Sequence, residues 1–133
     1  MKKEIKIVGI MVLAILGATI SCKKQQDNCY EEKPAAAFLF DYPDTVDVGE
    51  VFLLDINYVV ENSCGDFGKI DADKIENTLE VKLFTVYDGC QCEDEFVEKS
   101  ATYPVTFEAP GTYELKLWVA EASFESYLIY ATE

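Results

Sequence analysis

The sequence predicts an all-β fold, a two-sheet antiparallel sandwich of about six or seven strands. Period-two alternation in segments rich in β-branched and aromatic residues points to strands, and no long stretch with a 3.6-residue period competes with them. Turn signals between the segments recur at the spacing of a sandwich. Size agrees: 133 residues, 50% of them hydrophobic and 27% charged, make one domain and leave no room for two.

The first element is not part of that fold. Lys2, Lys3 and Lys6 precede an apolar run over 7–20, then Ser21-Cys22-Lys23-Lys24, the layout of a signal peptide over 1–21. As a helix this run of 14 residues would span about 21 Å against roughly 30 Å of hydrocarbon, so it is short for a transmembrane anchor. Thr19-Ile20-Ser21-Cys22 resembles the lipobox of bacterial lipoproteins. The resemblance implies cleavage before Cys22, lipidation of Cys22, and attachment to the membrane through that lipid anchor. Lys23 stands where an inner-membrane retention signal has Asp, which implies the outer membrane, on its periplasmic or its cell-surface face.

Five cysteines are an odd number for an exported protein, and a lipidated Cys22 leaves Cys29, Cys64, Cys90 and Cys92 to form two disulfides. A Cys90–Cys92 bond would close a small strained ring, so Cys29 and Cys64 take one partner each from that pair. Of the two remaining connectivities, Cys64 with Cys92 and Cys29 with Cys90 is the one expected here. It carries a geometric condition. If the chain reversed at every turn, Cys90 and Cys92 would lie a strand length from Cys64, so either residues 61–77 cross the sandwich or residues 88–92 return along a sheet edge, a reach of about 17 Å that falls short alone. The crossing is expected, with Ile70 and Ile75 as apolar contacts and Asp66, Asp71 and Asp73 in water. Residues 22–34 are almost all polar and read as a lipid-anchored flexible tether reaching about 40 Å. The folded domain is expected over 35–133.

Strands are expected at 36–42, 51–60, 78–87, 101–107, 112–120 and 124–131, with a short helical turn over 71–77. Turns fall at Tyr42-Pro43-Asp44, Asp47-Val48-Gly49-Glu50, Asp88-Gly89 and Ala109-Pro110-Gly111. Alternation assigns Phe52, Leu54, Ile56 and Tyr58, then Leu79, Val81 and Leu83, then Tyr113, Leu115, Leu117 and Val119 to the core.

Gly111-Thr112-Tyr113-Glu114-Leu115 after a proline-containing turn resembles the start of the penultimate strand of immunoglobulin-like domains. The resemblance implies an immunoglobulin-like sandwich with Tyr113 as its corner tyrosine, although the inter-sheet cysteine pair and central Trp of antibody domains are absent. Asn62-Ser63-Cys64-Gly65, Gly89-Cys90-Gln91-Cys92 and 111–117, behind the Ser-Cys-Lys-Lys lipobox, resemble small lipoproteins of the Bacteroidetes type. That resemblance implies compartment and fold and no activity.

Composition excludes much chemistry. There is no His, and all 11 basic residues are Lys, so no imidazole can serve as base or ligand and no guanidinium can clamp phosphate. The net charge of −14 repels nucleic acid, and removal of 1–21 leaves 8 bases and 24 acids. No serine stands in Gly-x-Ser-x-Gly, no phosphate loop is present, and the acids starting at Asp71 place Glu76 and Lys82 where a calcium loop needs Gly and Glu. No catalytic residue, metal ligand or cofactor is therefore expected. One surface feature is less ordinary. With Leu79, Val81 and Leu83 facing the core, Phe84 and Val86 face outward, joined in an immunoglobulin-like sheet by Trp118 and by either Tyr127 with Ile129 or Phe124 with Leu128. The set Phe84, Val86, Trp118, Tyr127 and Ile129 is taken as the candidate binding face. The expected function is a non-catalytic, lipid-anchored envelope protein, a structural accessory or a binder of a protein or glycan partner. The alternatives are a calcium-stabilised adhesion module and a carboxylate enzyme acting on glycosides.

Overall fold

A computed structural model describes residues 28–133. The signal peptide expected over 1–21, the expected lipidation site Cys22 and residues 22–27 of the expected tether lie outside the described residues. Among the described residues there are nine strands and no helix: β1 (Tyr30–Pro34), β2 (Ala37–Asp41), β3 (Thr45–Asp47), β4 (Val51–Asn62), β5 (Gly65–Ile75), β6 (Thr78–Asp88), β7 (Asp94–Thr106), β8 (Gly111–Ala120) and β9 (Ser123–Thr132). They form two sheets. The larger has six strands, with β6 at its centre: β5 covers one edge of β6, β1 and β8 share the other, and β9 and β3 follow beyond β8. The smaller is β2-β4-β7. The result is an all-β, immunoglobulin-like sandwich.

The core is the product of alternation. Leu54, Ile56, Tyr58 and Val60 of β4 are at most 1% exposed and meet Val81, Leu83, Leu115, Leu117 and Ile129 from the larger sheet. Each such side chain contributes about 1.5–3 kcal/mol by leaving water. Phe52 and Val119 are half-buried at the margin. The one buried polar side chain among the described residues, Thr85, donates its hydroxyl to the Lys33 carbonyl at 3.2 Å. The corner expected at Tyr113 is present: its hydroxyl donates to the Ala109 carbonyl at 2.8 Å, and its ring stacks on Phe107 with centroids 3.8 Å apart.

Several expectations are corrected. The tether was expected to run to residue 34, but residues 30–34 are β1, paired antiparallel with β6 from Tyr30↔Asp88 to Pro34↔Phe84. Strand pairing and the Cys29–Cys90 bond hold this polar segment in place, neither of which its own residues signal. The strand count exceeds six or seven because β1, β3 and β5 are strands with weak local signals. The sandwich is also not wholly antiparallel: β6 pairs β8 in parallel over Thr78–Val81, and β3 pairs β9 in parallel. The helical turn expected over 71–77 is instead the end of β5 and a tight turn at Glu76-Asn77, with Glu76 at φ 54°.

That hairpin meets the geometric condition on the cysteines. After β4 the chain crosses to the other sheet at Ser63-Cys64, runs its length as β5, and returns as β6. Ile70 packs against the core, but Ile75 is 64% exposed because it lies at the far tip of the hairpin, beyond the second sheet's cover. Asp66, Asp71 and Asp73 are in water. All four cysteines thus meet at one end, where Cys29 is joined to Cys90 and Cys64 to Cys92, with Cα atoms 5.0 and 5.5 Å apart. Gly89 has φ +149°, and a Cβ there would lie 2.8 Å from the Cys64 sulfur, so the approach of the two bonds requires glycine.

Candidate functional site

On the larger sheet, cross-strand register decides which side chains share a face. Phe84 and Val86 of β6 point away from the core, as does Trp118 of β8, and all three are half-buried. In β9, however, Trp118 stands opposite Phe124, Leu115 opposite Tyr127 and Tyr113 opposite Ile129. Tyr127 and Ile129 therefore face inward with Leu115 and Tyr113, and this corrects the candidate face. Ile129 is 1% exposed. Tyr127 packs edge-on against Tyr42 at 5.1 Å, donates its hydroxyl to Glu125 at 2.6 Å and accepts the Leu39 N–H at 3.4 Å. Its phenol is pushed above the ordinary tyrosine value, first by burial and then by the Glu125 carboxylate. The outward positions of β9 belong to Phe124, Leu128 and Tyr130, all exposed. Sequence reasoning held Phe124 with Leu128 as its second option and missed Tyr130. The register follows from a two-residue turn at Glu121-Ala122, where Ala122 has φ 54° without the Gly or Asn that ordinarily marks such a turn, and from a register shift between Trp118 and Ala120 that brings Trp118 rather than Val119 opposite Phe124.

Lysines cap the rings of this face. The Lys69 ammonium lies 4.8 Å from the Phe84 centroid, and that of Lys82 lies 5.4 Å from Phe84 and 5.1 Å from Trp118. Lys69 also pairs with Glu32 at 3.0 Å, the chief reason its pKa is raised. The outer face is thus an aromatic strip with cations seated on its β6–β8 half and bare rings on its β9 half.

Beside Trp118 the surface opens into a cleft of about 1000 Å³. Lys33 and Glu61 form an ion pair in its wall, and that hydrogen bond keeps the Lys33 ammonium above its usual pKa. Phe96, 79% exposed, reaches the cleft from the smaller sheet. At the cysteine end, Asp66 is held below the usual carboxylate range by the Phe67 N–H at 2.8 Å and then by the Lys99 ammonium at 3.1 Å. Ser63 is engaged structurally, its hydroxyl accepting the Glu93 N–H at 2.9 Å. Among the described residues, no three or more His, Cys, Asp or Glu come together in a group that could hold a metal ion.

Residues 54–124, just over half of the chain, match the family model of the ORF11 beta-sandwich domain. The matched span runs from within β4 to the start of β9 and takes in Phe84, Val86, Trp118 and Phe124 together with Cys64, Cys90 and Cys92. No curated protein and no solved structure matches the chain.

Proposed function

The chain belongs to the ORF11 beta-sandwich family, and from that premise we propose that it is a non-catalytic, lipid-anchored envelope protein that binds a protein or glycan partner through the outer face of its larger sheet. The observation that carries this reading is that Phe84, Val86, Trp118, Phe124, Leu128 and Tyr130, from three strands, all point outward on one face, interspersed with Lys82, Glu114 and Lys116. Exposed apolar side chains gathered on one face among charged ones are characteristic of interaction faces. A sandwich that presents such a face without a catalytic constellation fits a binding or structural accessory role.

The anchor rests on the first residues and on cysteine arithmetic. Both disulfides are made among the four cysteines after residue 28, which supports Cys22 as the acylated residue. Anchored there, the domain would stand close to the outer membrane: Cys22 and Cys29 are seven residues apart, at most about 25 Å of chain. Intact-mass spectrometry of membrane-extracted protein is expected to show a chain that starts at Cys22 with lipid mass added, and an unmodified soluble chain would refute the anchor. The face is tested by pull-down from native envelopes. The partner recovered with the parent protein is expected to be lost with Trp118→Ala and with Leu128→Ala, while both variants melt near the parent temperature. Equal recovery with all three would refute it.

A further inference from the structure

The cleft beside Trp118 is walled by strand edges. Side chains of a strand alternate between its two faces, so a cavity lined by one face meets every second residue. This cleft is lined by residues 33–36 without a gap on one side and by residues 118–122 without a gap on the other. Such runs are met edge-on.

Register explains why those edges are open. One edge of β6 is shared: β8 pairs with its first part, Thr78↔Glu114 to Val81↔Leu117, and β1 pairs with its last part, Pro34↔Phe84 to Tyr30↔Asp88. Beyond Leu117, β8 continues to Ala120 with β9 on one side and no strand on the other among the described residues. In β1, the Cys29 carbonyl accepts from Gly89 and the Ala35 N–H donates to Leu83, so the odd-numbered residues bond to β6. In an antiparallel pair the alternate residues turn their backbone groups away, which here directs those of Tyr30, Glu32 and Pro34 to the open side. Pro34 fits that geometry, since the donor it lacks would have faced the opening. In the wall from the smaller sheet, the Glu61 N–H is already satisfied by the Tyr87 hydroxyl at 3.1 Å. The unpaired edges at the cleft therefore belong to β1 and β8.

We propose that this split in the larger sheet is a slot for an extended segment of a partner protein, which adds as a strand of about five residues between β1 and the end of β8. Because β1 runs antiparallel and β8 parallel to β6, the incoming strand lies antiparallel to one wall and parallel to the other. Its side chains are basic alternating with apolar. The chain carries a net charge of −14, and the cleft presents Glu80 and Glu121, whereas its two lysines are engaged, Lys33 with Glu61 and Lys82 on the rings. Trp118, Phe124 and Phe96 supply apolar contacts at its rim. This goes beyond the reading of the outer face, because recognition here is by backbone hydrogen bonds.

The test uses a capped seven-residue peptide of alternating lysine and valine, a second with the same side chains but N-methylated at alternate residues, and a third of alternating glutamate and valine. Titration against the intact domain is expected to give saturable one-site binding of the first peptide and at least tenfold weaker binding of the other two. Hydrogen exchange is expected to slow at the Glu32 amide and at residues 118–120. Equal affinity for the N-methylated peptide, protection appearing on β5 or β7 instead, or no saturable binding would overturn the proposal. Leu128→Ser, which alters the outer face away from the slot, is expected to leave peptide binding unchanged. In Leu128→Ser, retention of the envelope partner together with the peptide would reject the outer-face reading alone, whereas loss of the partner from this variant with no saturable peptide binding by the parent domain would reject the slot alone.

Discussion

The two ends of the sandwich are closed by different means. At one end three segments meet, the start of β1, the turn from β4 to β5 and the loop after β6, and covalent bonds join them through Cys90-Gln91-Cys92. At the other end the loop from β7 to β8 is held by the Tyr113 hydroxyl on the Ala109 carbonyl and by Phe107 stacked on Tyr113. The residues explain the difference. The corner end is made by side chains that also belong to the core, Phe107, Tyr113 and the adjacent Ile129, all at most 5% exposed. The cysteine end is made by Asp88, Gly89, Gln91, Glu93 and the polar β1, which bury little apolar surface and cannot hold one another in water. Cross-links do there what packing does at the opposite end.

Reduction of both disulfides is the strongest way to break this comparison. Each bond should contribute about 2–4 kcal/mol. Denaturant unfolding with and without reductant is expected to show the combined loss, with β1 and residues 89–93 losing amide protection before β8 and β9. Uniform loss across the domain would mean that the ends are not independent. Next in size, Ile129→Ala at the corner end is expected to cost about 2–5 kcal/mol, against at most about 0.5 kcal/mol for its outward neighbour Leu128→Ala. Similar costs at the two positions would contradict the assigned register of β9. Tyr113→Phe removes one hydrogen bond and leaves the ring stack, so a loss near 1 kcal/mol is expected from thermal melts. The smallest effect belongs to pH. The folded-state pKa of Asp66 is depressed, so its contribution is present above the ordinary carboxylate pKa and disappears as pH falls through the lowered value, in the range below about pH 4. Asp66→Asn is expected to flatten the acid limb slightly at the cysteine end, and an unchanged limb would show the contact with Lys99 to be without energetic weight.

What could be read from the residues follows the same division. Strands with strict alternation and a large apolar side on the core, β4, β6 and β8, were legible, β9 was legible as a strand though not in its facing, all four lie within a few residues of their expected bounds, and the corner tyrosine is where the motif placed it. The strained ring of a Cys90–Cys92 bond, a covalent constraint that a sequence displays, excluded one of the three disulfide pairings, and nothing in the residues decided between the other two. β5 was hidden because Asp66, Lys69, Asp71, Asp73 and Lys74 lower its strand propensity, although Ile70 and Ala72 still alternate inward. β1 was hidden because nothing within Tyr-Glu-Glu-Lys-Pro specifies a partner, and its pairing is set from outside by β6. The inverted face of β9 turned on one residue of register. With Tyr127, Leu128, Ile129 and Tyr130 consecutive and apolar, alternation carries no sign there, and the Glu121-Ala122 turn and the register shift between Trp118 and Ala120 set it together. The split beside Trp118 was illegible for a related reason, since it arises where two strands far apart in sequence share one edge of a third.

The junction at Cys90-Gln91-Cys92 also defines a path for mechanical load. Tension applied to the chain ahead of Cys29 reaches a covalent bond before it reaches the first hydrogen bond of β1. From Cys90 it passes along the strand direction into β6 and, two residues on, through Cys92 to Cys64, which lies between β4 of the smaller sheet and β5 of the larger. A pull from the N-terminal side is therefore divided between both sheets in shear, and β1 is shielded from being unzipped one bond at a time. With the disulfides reduced, the same pull would fall on a five-residue strand alone.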